Sequence, residues 1–194
     1  MRLRVLGAAV AATAAVVIAP STTPAQAAPA ATGRHCVVDV QASAAMACFG
    51  TLSAALSRAT GGQVAASQAL GRSPADVDAT VNAANARNAG AQGVNRAAAA
   101  SIVIGIEYTG NNFSGSSLIY NASHTCDGPV FPREFFVNTL PSGWNDDIES
   151  FRAYANCAAM HYLDIFQGGP REGWYTSWGG LGVVEDEVSS IEWS

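Results

Sequence analysis

From Ile102 onward the chain alternates: Ile102, Ile104, Ile106 and Tyr108 are interleaved with Val103, Gly105 and Glu107. A period of two predicts a strand, with successive side chains sent to opposite faces of a sheet. Thr109-Gly110-Asn111-Asn112 is rich in turn formers, and Ser116–Tyr120 reads as the returning strand of a hairpin. Further short strands are predicted around Val130–Val137, Ser150–Tyr154, Ala158–Asp164, Trp174–Ser177 and Ser189–Trp193. About seven or eight such strands, parted by Gly, Asn and Asp turns, predict an all-β sandwich of Greek-key motifs over residues 100–194.

Upstream the pattern changes. Val37-Val38-Asp39-Val40 reads as a strand, and Thr51–Ala59 as a helix with Leu52, Ala55, Leu56 and Ala59 on one side. Gly61-Gly62 supplies its stop. A small disulfide-containing α+β module is therefore expected over 28–62. Residues 63–99 are rich in Ala, Asn, Gln and Gly and nearly lack large apolar side chains. Ser73-Pro74 suits the start of a helix running to about Arg87, with Ser as cap and Pro in the first turn. Its thin apolar face equally suits a partly disordered linker or pro-segment. At the N-terminus, Arg2 and Arg4 precede an apolar run, Val5–Ala19, and Ala25-Gln26-Ala27 fits a small-x-small cleavage site. Residues 1–27 are thus expected to be a signal peptide, the mature chain to start at Ala28, and the protein to be secreted and extracellular. No later stretch is apolar and long enough to span a bilayer.

Composition sharpens the division. Every aromatic residue except Phe49 follows residue 100, so the large buried areas are expected there. Between Ala28 and Ala99 five arginines face three acids; between Ala100 and Ser194 three arginines face twelve acids, a net −9 that repels nucleic-acid phosphates. Four cysteines in an exported chain imply two disulfides with three connectivities open. The compositional division favours Cys36–Cys48 and Cys126–Cys157, and the absence of C-x-x-C spacing argues against a zinc site. Catalytic signatures are missing. His35, His124 and His161 sit in no H-E-x-x-H pattern, no G-x-S-x-G elbow occurs, and the chain has no lysine, so no enzymatic activity is expected.

Within residues 102–194 one pattern occurs twice. Tyr108, Phe113 and Gly115 are followed by Asn145-Asp146-Asp147-Ile148-Glu149-Ser150; Tyr162, Phe166 and Gly168 are followed by Glu185-Asp186-Glu187-Val188-Ser189-Ser190. The double occurrence resembles the βγ-crystallin family, in particular its secreted single-domain bacterial members. The family hairpin is an aromatic, four residues, Phe or Tyr, one residue and Gly, which Tyr108–Gly115 meets in full. Its acidic stretch is Asn/Asp, Asn/Asp, two free positions, Ser/Thr, Ser. Leu140-Pro-Ser-Gly-Trp144 leads into the first stretch in the family manner. Departures are Glu149 at a Ser/Thr position, Glu185 at an Asn/Asp position, and a second hairpin that is one residue short measured from Tyr162, or has His161 where the aromatic belongs.

The resemblance implies a βγ-crystallin-like sandwich of two Greek keys and calcium at its acidic stretches. Calcium takes six to eight oxygens from carboxylates, hydroxyls and backbone carbonyls. The implied ligands are the backbone carbonyls of Asp147 and Glu187, the side chains of Glu149 and Ser189, and the Asp146 and Asp186 carboxylates, each given to the paired site. One working site is more credible than two. The rival reading is purely structural: solvated acidic loops, with Ser150 and Ser190 bracing the fold. Trp144, Trp174, Trp178 and Trp193 read as core and rim packing. Similar bacterial proteins also include a metalloproteinase inhibitor and killer-toxin-like proteins. This implies a second role, as a monomer acting on an extracellular protease or cell-surface target through the insertion His124–Pro141, which carries Val130, Phe131, Phe135 and Phe136.

Overall fold

In a computed structural model, residues 33–41, 46–70, 73–92, 102–128 and 132–194 are described. The expected signal peptide, its cleavage site and Val130–Phe131 lie outside them. The strands and helices, in chain order, are β1 (His35–Asp39), β2 (Ala47–Phe49), α1 (Leu52–Ala59), α2 (Pro74–Gln92), β3 (Ile102–Gly110), β4 (Ser114–Ala122), β5 (Phe135–Val137), β6 (Ser150–Ala153), β7 (Ala159–Asp164), β8 (Gly168–Tyr175), β9 (Ser177–Trp178) and β10 (Ser190–Trp193). They form two sheets, ordered β2-β1-β4-β3-β6-β9 and β5-β10-β7-β8. Two Greek keys, β3–β6 and β7–β10, each lend their third strand to the other sheet, so neither key closes without its partner. The predicted strand Trp174–Ser177 accordingly splits. Tyr175 pairs with Ala159 in one sheet and Ser177 with Arg152 in the other, and the chain crosses at Thr176.

The alternation of β3 does not hold along its length. A bulge between Val103 and Gly105 shifts the register against β4 and reverses which residues face inward. Ile102 and Ile104 join the core between the sheets, whereas Ile106 and Tyr108 join Val103 in a second core outside them. Gly105 and Glu107 are thereby turned inward. A Cβ on Gly105 would lie 2.9 Å from Trp193 Nε1, so only glycine lets the indole close over that strand. Glu107 Oε2 meets His161 Nε2 at 2.9 Å, both side chains fully buried. The inter-sheet core is completed by Leu118, Tyr120, Phe135, Trp144, Phe151, Leu181, Ile191 and Trp193. Trp144 and Trp193 are fully buried, and Trp178 packs against this core from its rim, its ring 4.3 Å from that of Tyr175.

The second core explains the N-terminal segment, which shares one unit, Ala31–Ser194, with the sandwich. β1 runs parallel to β4 and extends the first sheet. The α1 helix, capped by Thr51 accepting from Ala54 N, buries Ala55, Leu56 and Ala59 on the sheet's outer face. The α2 helix is longer than the sequence suggests, because polar groups do much of the docking. Val77, Val81 and Ala84 are buried, and the same face continues as Asn85 and Asn88. The Asn85 amide donates to Val103 O (2.8 Å) and accepts from Val103 N (2.9 Å), which satisfies two backbone groups beyond the end of the β3–β6 pairing. Asn88 donates to Thr60 O, while Asp78 pairs with Arg152 and accepts from Tyr154 Oη. No described helix is long and apolar enough to cross a membrane.

Disulfides Cys36–Cys48 and Cys126–Cys157 are both present, the pairing favoured by composition. On the chain-entropy account each contributes about 3–4 kcal/mol. The second anchors, through Cys126, the insertion His124–Pro141, whose Phe135 is buried between the sheets. Phe136 is outside, 42 % exposed beneath the Arg133 guanidinium.

Asn85→Ala should destabilise the protein by about 2–4 kcal/mol, because two buried backbone groups of Val103 lose their partners. Asn82→Ala, exposed on the same helix, should stay within about 0.5 kcal/mol. Urea denaturation of the two variants checks both values; equal effects would contradict the role given to Asn85.

Candidate metal centre

Two tight hairpins and two acidic loops meet at one end of the sandwich. Each hairpin turns back through consecutive left-handed residues, Asn112 and Phe113 in the first, Phe166 and Gln167 in the second. Each is pinned by the serine that closes its own acidic stretch. Ser150 Oγ donates to Gly110 O (2.6 Å) and accepts from Phe113 N (3.0 Å). Ser190 Oγ donates to Asp164 O (2.6 Å) and accepts from Gln167 N (3.0 Å).

This equivalence corrects the reading of the second hairpin. Tyr162 matches Tyr108, each bonded through its carbonyl to the fifth residue of its stretch, Ser189 N and Glu149 N at 2.9 Å. Counting from there, Gln167 stands where Phe113 stands, and Gly169 rather than Gly168 matches Gly115. Gly169 and Gly115 have φ of 71° and 80°, whereas Gly168 is extended with φ −95°. The hairpin is therefore full length; its aromatic has been replaced by glutamine. Phe166 takes the place of Asn112 and is 67 % exposed.

Crossed hydrogen bonds join the acidic stretches. Asp146 N donates to Val188 O (3.2 Å) and Asp186 N to Ile148 O (3.1 Å); both aspartates have left-handed φ, 58° and 57°. Leu181 N reaches Glu149 O (2.8 Å) and Leu140 N reaches Ser189 O (2.9 Å). Hairpin tips are tied to the opposite motif in the same way, Asn112 N to Gly179 O and Phe166 N to Asn138 O, both 2.8 Å. The second-position aspartate of each stretch is thus brought beside the fourth and fifth residues of the other. Asp146, Asp147, Asp186 and Glu187 are exposed, Glu149 is half-buried and Ser189 is buried.

The two stretches differ in their donors. Glu149 Oε2 already accepts from Asn111 N (2.9 Å) and Asn111 Nδ2 (2.7 Å), and Asn111 Nδ2 also donates to Glu185 Oε1 (3.0 Å). Those bonds use the carboxylate expected to serve calcium. At the second stretch the matching hairpin residue is Ile165, which has no side-chain amide to offer, and the fifth position is the short hydroxyl of Ser189. The oxygens around Ser189 are of the kind a hard cation takes, whereas the Glu149 carboxylate is already engaged by Asn111. Among the described residues no group of three or more His, Cys, Asp or Glu side chains converges as a metal site. Asn111 and Glu185 were not among the ligands implied by the sequence. Asn111 lies in the turn Thr109–Asn112 and Glu185 marks a departure from the stretch pattern, so each was visible but not their contact.

No protein-family model matches this chain, and no curated protein does. Among solved structures it is similar to a βγ-crystallin domain from Flavobacterium johnsoniae, at 25% identity over 47% of this chain and 93% of that one, with a TM-score of 0.33. It is similar to a βγ crystallin from Ciona intestinalis at 21% identity, over 45% and 94%, TM-score 0.34. A third is the Ca2+-bound βγ-crystallin domain of Abundant Perithecial Protein from Neurospora crassa, at 19% identity over 47% and 87%, TM-score 0.35. All three are βγ-crystallin structures.

Proposed function

We propose that this is a secreted protein of the βγ-crystallin type that holds one calcium ion at its second acidic stretch, in a stabilising rather than catalytic role. Export is supported by the basic and apolar N-terminal pattern and by two disulfides. One observation carries the calcium reading: the crossed bonds that bring Asp146 to Val188 and Ser189. Ser189 Oγ, the Glu187 backbone carbonyl and the Asp146 carboxylate would hold the ion. There it would neutralise the acidic loops and cross-link the two Greek keys. An ion bound only by the folded chain stabilises it by about 2.7 kcal/mol at a hundred times its Kd. For a chain of this size that corresponds to about 5–10 °C in Tm.

Calorimetry of the mature chain should show one equivalent of calcium and a matching rise in Tm. Both should be lost in Ser189→Ala and weakened in Asp146→Asn. An unmoved Tm and no heat at millimolar calcium would remove this reading.

A second reading, inhibition of an extracellular protease, is supported by the exposed pair Ile165 and Phe166, 47 % and 67 % exposed. Their hairpin is pinned by Ser190 and Asn138, so the pair is presented rigidly. Its twin carries two asparagines there, Asn111 and Asn112, so the turn itself does not require apolar side chains. Residual thermolysin activity is the measurement: stoichiometric wild type should suppress it, and Ile165→Ser/Phe166→Ser should suppress it at least tenfold less. Full protease activity at excess wild type would dispose of the inhibitor.

A further inference from the structure

We propose that Asn111 is a built-in substitute for the ion at the first acidic stretch, a permanent bridge between the two Greek keys that keeps calcium out. Its amide nitrogen lies between Glu149 of the first motif and Glu185 of the second, at 2.7 and 3.0 Å. An amide NH2 has two protons to give, and this one gives one to each carboxylate. The Asn111 backbone N–H adds a second donor to Glu149 Oε2 at 2.9 Å. Only donors suit the space between two carboxylates, which fixes the orientation of the amide. Its oxygen is turned to Gly180, where a Cβ would stand 2.5 Å from Asn111 Oδ1. Gly180 therefore leaves the room in which the amide is seated.

The result is three segments tied at one point: the first hairpin, the end of the first stretch and the start of the second. A calcium site would tie similar segments by drawing carboxylate oxygens to a cation. Here charge-assisted N–H···O bonds do so without one. A cation taking Glu149 Oε2 must displace both Asn111 donors. The twin arrangement is the internal comparison. Ile165, Ser189 and Asn145 occupy the places of Asn111, Glu149 and Glu185, and no such bridge can form from them. The two departures from the stretch pattern, Glu149 and Glu185, are the two partners of one amide. They are one compensated change rather than two defects.

This deepens the calcium reading and rests on it for the open second site alone. The test uses the mature chain, with melting in chelator and calcium calorimetry on wild type, Asn111→Ala and Asn111→Asp. In chelator, Asn111→Ala should melt about 2–6 °C below wild type, since Glu149 and Glu185 then face each other without a shared donor. Asn111→Asp should melt lower still in chelator, and calcium should raise its Tm by more than it raises that of wild type. Its stoichiometry should increase by one equivalent, which a merely structural asparagine would not produce. The bridge is overturned if Asn111→Ala melts with wild type in chelator, if Asn111→Asp gains no equivalent, or if Ser189→Ala, with Asn111 intact, still binds one ion. Wild type that binds no calcium would end the calcium reading. The chelator melting of Asn111→Ala and the equivalent gained by Asn111→Asp would still decide the bridge.

Discussion

A hairpin that folds back over its own sheet needs two consecutive residues in the left-handed region. Outside glycine, each such residue costs about 1–2 kcal/mol, somewhat less for asparagine. In this chain the conformation is held by one hydroxyl per hairpin, Ser150 or Ser190, which accepts from an amide on one side of the turn and donates to a carbonyl on the other. Both serines are fully buried, so their bonds are not exchanged with water. The acidic loops take their position from these pins. With the hairpin seated, Tyr108 O and Tyr162 O are presented to Glu149 N and Ser189 N, and the crossed pairing of the stretches follows.

The same twofold relation runs through the centre of the molecule. Glu107 and His161 immediately precede the matched tyrosines, so they occupy equivalent positions of the two motifs. They meet in the core because the bulge in β3 turns Glu107 inward. Breaking a buried pair by removing one partner typically costs about 3–5 kcal/mol, which makes this contact a constraint on how the keys face each other. His161 also lies 4.2 Å from the Phe151 ring, which gives the imidazole one packed face. A polar contact at the centre is thus tied to an irregularity of the strand.

Periodicity revealed the strands because most of them bury at least one regular face. It failed at β3, where a bulge reverses the parity and both faces are covered, and at Thr176, where one apparent strand crosses between sheets. Serine at the end of each acidic run was visible in the sequence. The partners of those serines are backbone atoms, which carry no residue identity, so the true match of the second hairpin was hidden. Phe166 drew attention as the aromatic of the motif. Backbone angles show that it occupies an asparagine position and that Gln167 replaced the aromatic. The stand-off between Glu149 and Asn111 was equally out of reach, because residues far apart in sequence are joined there only by the closure of two loops.

The change of composition near residue 98 is a change in the means of docking. Helices usually seat themselves with an apolar stripe, and a helix with three apolar contacts reads as unattached. α2 instead uses Asn85, Asn88 and Asp78, each bonded to a group that would otherwise be left unpaired or weakly held. The surface beneath it, Val103, Ile106, Tyr108, Ile119 and Tyr154, is apolar and is buried by the segment before residue 100. A sandwich cut at that boundary would expose the whole face, together with the edge of β4 now paired to β1. Such a surface, rich in β-branched and aromatic residues beside an open strand edge, favours association with other chains. The polar, alanine-rich segment is therefore the outer layer of the β domain.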